Sequence, residues 1–158
     1  MILKKIKAHH LFLLVSILIL LIGMYRSTDP NSNLAINIHD TYFVMSNYHC
    51  TLILFTTYFL TGIVYWLFEK HPQKQLMKPL TIIHSTILIG SFIIYWFIIF
   101  LDDKLFVIDP NFPLLNYKDQ IINMTLVSEL LIITFAGMPI FIINLLIGLL
   151  RRTDNNKI

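Results

Sequence analysis

Leu80-Thr81-Ile82-Ile83-His84-Ser85-Thr86-Ile87-Leu88-Ile89-Gly90-Ser91-Phe92-Ile93-Ile94-Tyr95-Trp96-Phe97-Ile98-Ile99-Phe100-Leu101 runs for 22 residues without an Asp, Glu, Lys or Arg. A helix rises about 1.5 Å per residue, so such a segment is roughly 33 Å long and matches a hydrocarbon layer about 30 Å thick. A water-soluble surface helix would alternate this apolar content with a charged face. Here the apolar content goes all the way round, and the segment reads as a membrane span.

Three further runs have the same character: Leu11 to Tyr25, Cys50 to Phe68 and Ile121 to Leu150. The first reaches spanning length when His9 and His10 extend it. The last is long enough to tilt, and Pro139 after Gly137 predicts a kink, because proline removes a backbone donor and clashes with the preceding turn. Lys4, Lys5 and Lys7 ahead of the first run raise the question of a signal peptide. The following Gly23-Met24-Tyr25-Arg26-Ser27 has no small-x-small cleavage pattern, so the run reads as a retained helix. The expected fold is an all-α membrane protein, one unit over residues 1–158, with spans at about 9–25, 50–68, 80–101 and 121–150.

Composition agrees. Of 158 residues, 56% are hydrophobic and 13% charged, against about 25% charged in soluble domains. The net charge of +3 does not point to nucleic acid, because the cations lie in short runs between apolar stretches and do not share one folded face. A single cysteine, Cys50, excludes an internal disulfide and a thiolate metal cluster.

Charge also orients the chain. With four spans, Lys4, Lys5, Lys7, Lys70, Lys74, Lys78, Arg151, Arg152 and Lys157 fall on one side, and Arg26, Lys104 and Lys118 on the other. The positive-inside rule then places both termini in the cytoplasm, in a multi-pass protein of the cell's inner membrane. Between the spans, Leu34-Ala35-Ile36-Asn37-Ile38 alternates with period two, and Lys104-Leu105-Phe106-Val107-Ile108 is a short β-forming run. These two predict a short β-ribbon over the outer helix ends.

Two groups carry chemistry. In the first outer loop, His39-Asp40 joins an imidazole to a carboxylate, which suits a divalent cation with water completing its shell; the same two residues also suit a helix-capping role. In the fourth span, Glu129 sits with Thr125 and Ser128 one turn before it. A charged residue at the membrane centre costs roughly 2.5 to 3.5 kcal/mol on insertion scales, so Glu129 is either a proton or solute site, with His49 or Tyr58 across the bundle, or a protonated group bonded to Thr51 or Thr56. Tyr65 and Trp66 suit an interfacial aromatic belt, and Asn144, Thr134 and Thr86 suit interhelical hydrogen bonds.

The stretch His39-Asp40-Thr41-Tyr42-Phe43-Val44, with Asn47 and His49 beyond it, resembles the segment leading into the tenth helix of subunit I of the haem-copper oxidases. That family, the cytochrome c and quinol oxidases, reads His-Asp-Thr-Tyr-Phe/Tyr-Val-Val-Ala-His-Phe-His. The resemblance implies that His39 and Asp40 match a magnesium-holding pair near the haem propionates, and that His49 matches an axial ligand of the low-spin haem. Asn47 stands where the family has the histidine ligand of the oxygen-binding haem. An amide is a poor axial ligand, and the copper ligands of the family lie on helices that have no counterpart here. The four spans would match about the last third of the oxidase subunit. The implied protein is a non-catalytic relative, accessory to or derived from a respiratory oxidase, with oxidase subunits or a second copy of itself as partners besides the bilayer. Two alternatives stand beside it: a haem-binding electron carrier that uses His49 between two chains, and a small proton or solute pathway centred on Glu129.

Overall fold

The computed structural model describes residues 7–28, 33–38, 41–71, 74–105 and 117–151. In chain order the elements are α1 (Ala8–Arg26), β1 (Asn33–Ile38), β2 (Thr41–Ser46), α2 (Asn47–Lys70), α3 (Lys78–Leu105), α4 (Tyr117–Ile132), a π-helical turn (Ile133–Gly137) and α5 (Met138–Leu150). Four stretches are long and apolar enough to cross a membrane: Ala8–Tyr25, Asn47–Lys70, Lys78–Ile98 and Met124–Leu150. The all-α membrane fold follows from backbone chemistry, since only a helix satisfies every N–H and C=O within its own segment where no water is available.

The helix ends run past the apolar runs. Polar residues such as Asn47, Lys70 and Lys78 belong to helices because a helix can continue beyond the hydrocarbon boundary at little cost. Proline acts as expected in the fourth span, and by an identifiable device. The Met138 N–H donates to the carbonyl of Ile133, five residues back, forming one wide turn just before Pro139. Such a π turn takes up the missing donor and the ring clash that an unbroken α-helix would not tolerate.

The β-ribbon exists, but with a different partner from the one expected. Asn33–Ile38 pairs antiparallel with Thr41–Ser46, with Ala35 opposite Val44 and Ile38 opposite Thr41. Lys104 and Leu105 end α3, and residues 106–108 lie outside the described residues. Closing a hairpin across two residues costs far less chain entropy than joining segments some seventy residues apart, and Thr41, Tyr42, Phe43 and Val44 are strong strand formers. β2 passes into α2 without a loop. Ser46 is the N-cap, with an extended backbone (φ −64°, ψ 144°), and its Oγ accepts from the His49 N–H.

Lys7, Glu69, Met77 and Asn144 meet at one end of the bundle, here called the basic end. The hairpin marks the other end. α1 lies along α2 at close range, which small residues permit. A Cβ on Gly23 would come within 2.1 Å of Thr51 Oγ1, and one on Gly62 within 3.1 Å of Leu13. The core is Phe12, Val15 and Ile19 of α1, Tyr58 and Tyr65 of α2, and Leu88 of α3. Large apolar side chains elsewhere, such as Leu21, Ile53, Ile82, Phe97 and Leu149, are exposed. In lipid this outward apolar surface is the solvated one.

Candidate functional site

A cavity of about 150 Å³ lies between the helices in the hairpin half of the bundle. α2 contributes Asn47, Cys50, Thr51 and Tyr58 to its wall, and α3 contributes Ser91, Phe92, Tyr95 and Trp96. α1 supplies Ile19 and Gly23, and the fourth span adds Glu129. The carboxyl oxygen Oε1 of Glu129 is buried and has no hydrogen-bond partner among the described residues. Tyr58 donates its hydroxyl to the Leu88 carbonyl at 2.6 Å, tying α2 to α3 at the same cavity.

Of the hydroxyls expected near Glu129, Thr51 shares its cavity wall and Thr56 lies elsewhere. Thr51 Oγ1 donates to the Asn47 carbonyl at 2.7 Å, one turn back on its own helix, a bond helical threonines readily make. Thr56 lies in a separate groove with Leu52, Ile53, Thr57 and Leu60. The structure does bring Glu129 and Tyr58 to one cavity, whereas His49 is not in its wall.

Asn47 and His49 therefore part company. Two positions along a helix are about 200° apart, so when Asn47 turns towards the bundle, His49 turns away from it. His49 is exposed, its Nδ1 lies 2.6 Å from Ser46 Oγ, and its ring meets Tyr48 edge-on at 5.6 Å. His39 and Asp40, the pair matched to a magnesium site, lie outside the described residues. Among the described residues no three His, Cys, Asp or Glu side chains gather as a metal site.

The basic end holds a second polar cluster. Tyr65 OH and His84 Nδ1 are 2.7 Å apart. His84 is only 1% exposed and stacks on Phe141 at 4.8 Å and on Phe12 at 5.7 Å. Asn144, fully buried, donates to Thr81 Oγ1 and accepts from the Met77 N–H, both at 2.9 Å, so it fastens the last helix to the start of α3. Glu69 pairs with Lys7 and with His9 Nδ1, the latter at 2.9 Å. Tyr65, expected in an interfacial belt, is instead a core residue, 4% exposed; Trp66 beside it is exposed, with Lys70 Nζ 3.9 Å above its ring. Asn144 makes the interhelical bonds expected of it, while Thr86 and Thr134 are exposed.

His49 and Tyr65 are separated along α2 by about 24 Å of helix rise, so His49 and the Tyr65-bonded His84 do not reach one iron. The pairing of Tyr65 with His84 is not legible in the sequence, and of the aromatic wall around Glu129 only Tyr58 is. A uniformly apolar span gives no amphipathic signal to show which face turns inward.

No family model matches the chain, and no curated protein or solved structure is significantly similar to it.

Proposed function

We propose that this chain is a non-catalytic membrane component, accessory to or derived from a respiratory haem-copper oxidase. The observation that carries the reading is the run His39-Asp40-Thr41-Tyr42-Phe43-Val44 continuing into α2, with Asn47 turned to the bundle in place of a haem-binding imidazole. An amide there removes the ligand for an oxygen-reducing haem and leaves a helix that can pack but cannot hold that iron. In this reading the protein sits in the inner membrane with both termini in the cytoplasm, the side favoured by its cationic residues. It keeps His39 and Asp40 as a candidate divalent-cation pair, and His49 as a surface imidazole open to a haem shared with a second copy or a partner subunit. The test is affinity purification from native membranes in mild detergent. Recovery of oxidase subunits with the tagged chain is the expected result, and their absence overturns the reading. A visible spectrum of the same preparation separates the haem alternative: a Soret band lost in His49→Ala supports it, and a colourless preparation removes it.

A second reading is favoured by one observation: Glu129 lines the cavity, and its buried Oε1 has no hydrogen-bond partner among the described residues. It makes Glu129 the centre of a small proton or solute pathway. Intramembrane carboxyls facing a bundle interior commonly serve this role. Proteoliposome flux that is unchanged in Glu129→Gln ends this reading.

A further inference from the structure

The Glu129 cavity has an unusual pairing of contents. Among the described residues, four aromatic side chains, Tyr58, Phe92, Tyr95 and Trp96, share its wall with one carboxyl group, and no Lys, Arg or His does. The carboxyl oxygen Oε1 is buried without a donor among the described residues. A carboxylate placed this way meets no counter-charge among the described residues of the wall, so it is neutralised by a proton or by a cation that enters from outside.

The walls decide what kind of cation fits. A hard metal ion asks for six or more oxygen ligands gathered round it, and the described wall offers, besides Glu129, only the scattered oxygens of Asn47, Thr51, Ser91 and the two tyrosines among mainly apolar side chains. A primary ammonium asks for several acceptors at once. A quaternary or tertiary organic ammonium needs neither. It brings its own shell of carbon, its charge is spread over the adjoining alkyl groups, and aromatic faces attract it most strongly where water is excluded. The volume agrees, since a cavity of about 150 Å³ takes one benzene-sized molecule.

We propose that the cavity walled by Glu129, Tyr58, Phe92, Tyr95 and Trp96 is a binding site for a small organic ammonium ion. The proposal rests on the second reading above only in treating the Glu129 cavity as a site, and it names the chemical class of the occupant. Glu129 supplies the charge. Trp96 and Tyr95 supply the ring faces, and Ser91 and Thr51 supply small polar patches in the wall.

Cys50 makes the site directly readable, because it is the single cysteine of the chain and it lies in the cavity wall. The full-length protein in lipid nanodiscs is treated with methyl methanethiosulfonate, a small neutral thiol reagent, and the rate of Cys50 modification is followed by mass spectrometry. Tetramethylammonium chloride is expected to slow modification, while the neutral, similarly branched 3,3-dimethyl-1-butanol at equal concentration is not. Sodium chloride controls for ionic strength. Glu129→Gln is expected to weaken protection by roughly tenfold or more, and Trp96→Leu by a few-fold, as loss of a desolvated charge and of the best cation-binding ring should. Glu129→Asp keeps the charge and retains weaker protection. Circular dichroism and gel filtration confirm the fold of each variant, and Trp96→Leu tests the site independently if the Glu129 variants do not fold. Equal protection by the neutral alcohol, or none by tetramethylammonium, overturns the proposal. Glu129-dependent proton flux without Cys50 protection keeps the pathway reading and overturns the ammonium site. Protection without Glu129-dependent flux supports the ammonium site and ends the pathway reading.

Discussion

The two halves of the bundle treat their carboxyl groups in opposite ways. At the basic end Asn144 satisfies both a backbone N–H and a threonine hydroxyl, Tyr65 meets His84, and Glu69 meets Lys7 and His9. At the hairpin end a carboxyl oxygen of Glu129 is buried beside a cavity with no partner among the described residues. Buried polar groups in folded proteins are overwhelmingly hydrogen-bonded, and the exceptions mark sites whose partner is something else. Ser85 Oγ, beside His84, is also buried without a partner among the described residues, but it carries no charge. The paired groups of the basic end therefore read as the fastening of the fold and the Glu129 carboxyl as its working part.

Substitutions can break or sharpen this contrast. The largest effect is expected at Gly23, where α1 and α2 touch beside the cavity. Gly23→Val drives a side chain into Thr51 and should cost about 3 kcal/mol in thermal or denaturant unfolding in detergent micelles, because overpacked contacts force backbone shifts. Next comes Asn144→Ala, which strands the Met77 N–H and the Thr81 hydroxyl; about 2 kcal/mol is expected by the same measurement. Tyr65→Phe removes one bond to His84 and should cost about 1 kcal/mol. The smallest effect is expected for Glu129→Gln, within about 0.5 kcal/mol of the parent, because the group it replaces gains little from its surroundings. A loss at Glu129 as large as that at Asn144 would mean that both halves are fastened alike, and the contrast would fall.

Much of the architecture was legible before any coordinates, because lipid imposes a blunt requirement on length and charge that Leu80–Leu101 meets outright. The ends were less legible. Asn47, Lys70, Lys78 and Asp102 sit inside helices, since a helix leaving the hydrocarbon layer meets no penalty for polar residues. The ribbon is legible in the alternation of residues 34–38, but its partner is not: the β-forming pattern at 104–108 competes with the nearer Thr41–Ser46, and the short loop closes more cheaply. Glu129 stood out from sequence as a carboxyl in an apolar run. Its neighbours did not, because Trp96 and Cys50 join it only through the azimuth of three helices, and a span apolar on all faces does not encode azimuth by hydrophobic period. The same blindness placed Tyr65 in an interfacial belt when it belongs to the core.

The π turn at Ile133–Gly137 separates Glu129 from Asn144 on one continuous span. A wide turn of this kind is equivalent to one residue inserted into an α-helix, and an insertion advances everything after it by about 100° of phase. The last helix is thus two helices out of phase, one half timed so that Glu129 meets the cavity, the other so that Asn144 meets the start of α3. Deleting a single residue from the turn, together with Pro139→Ala, would give a straighter rod that can satisfy either appointment but not both.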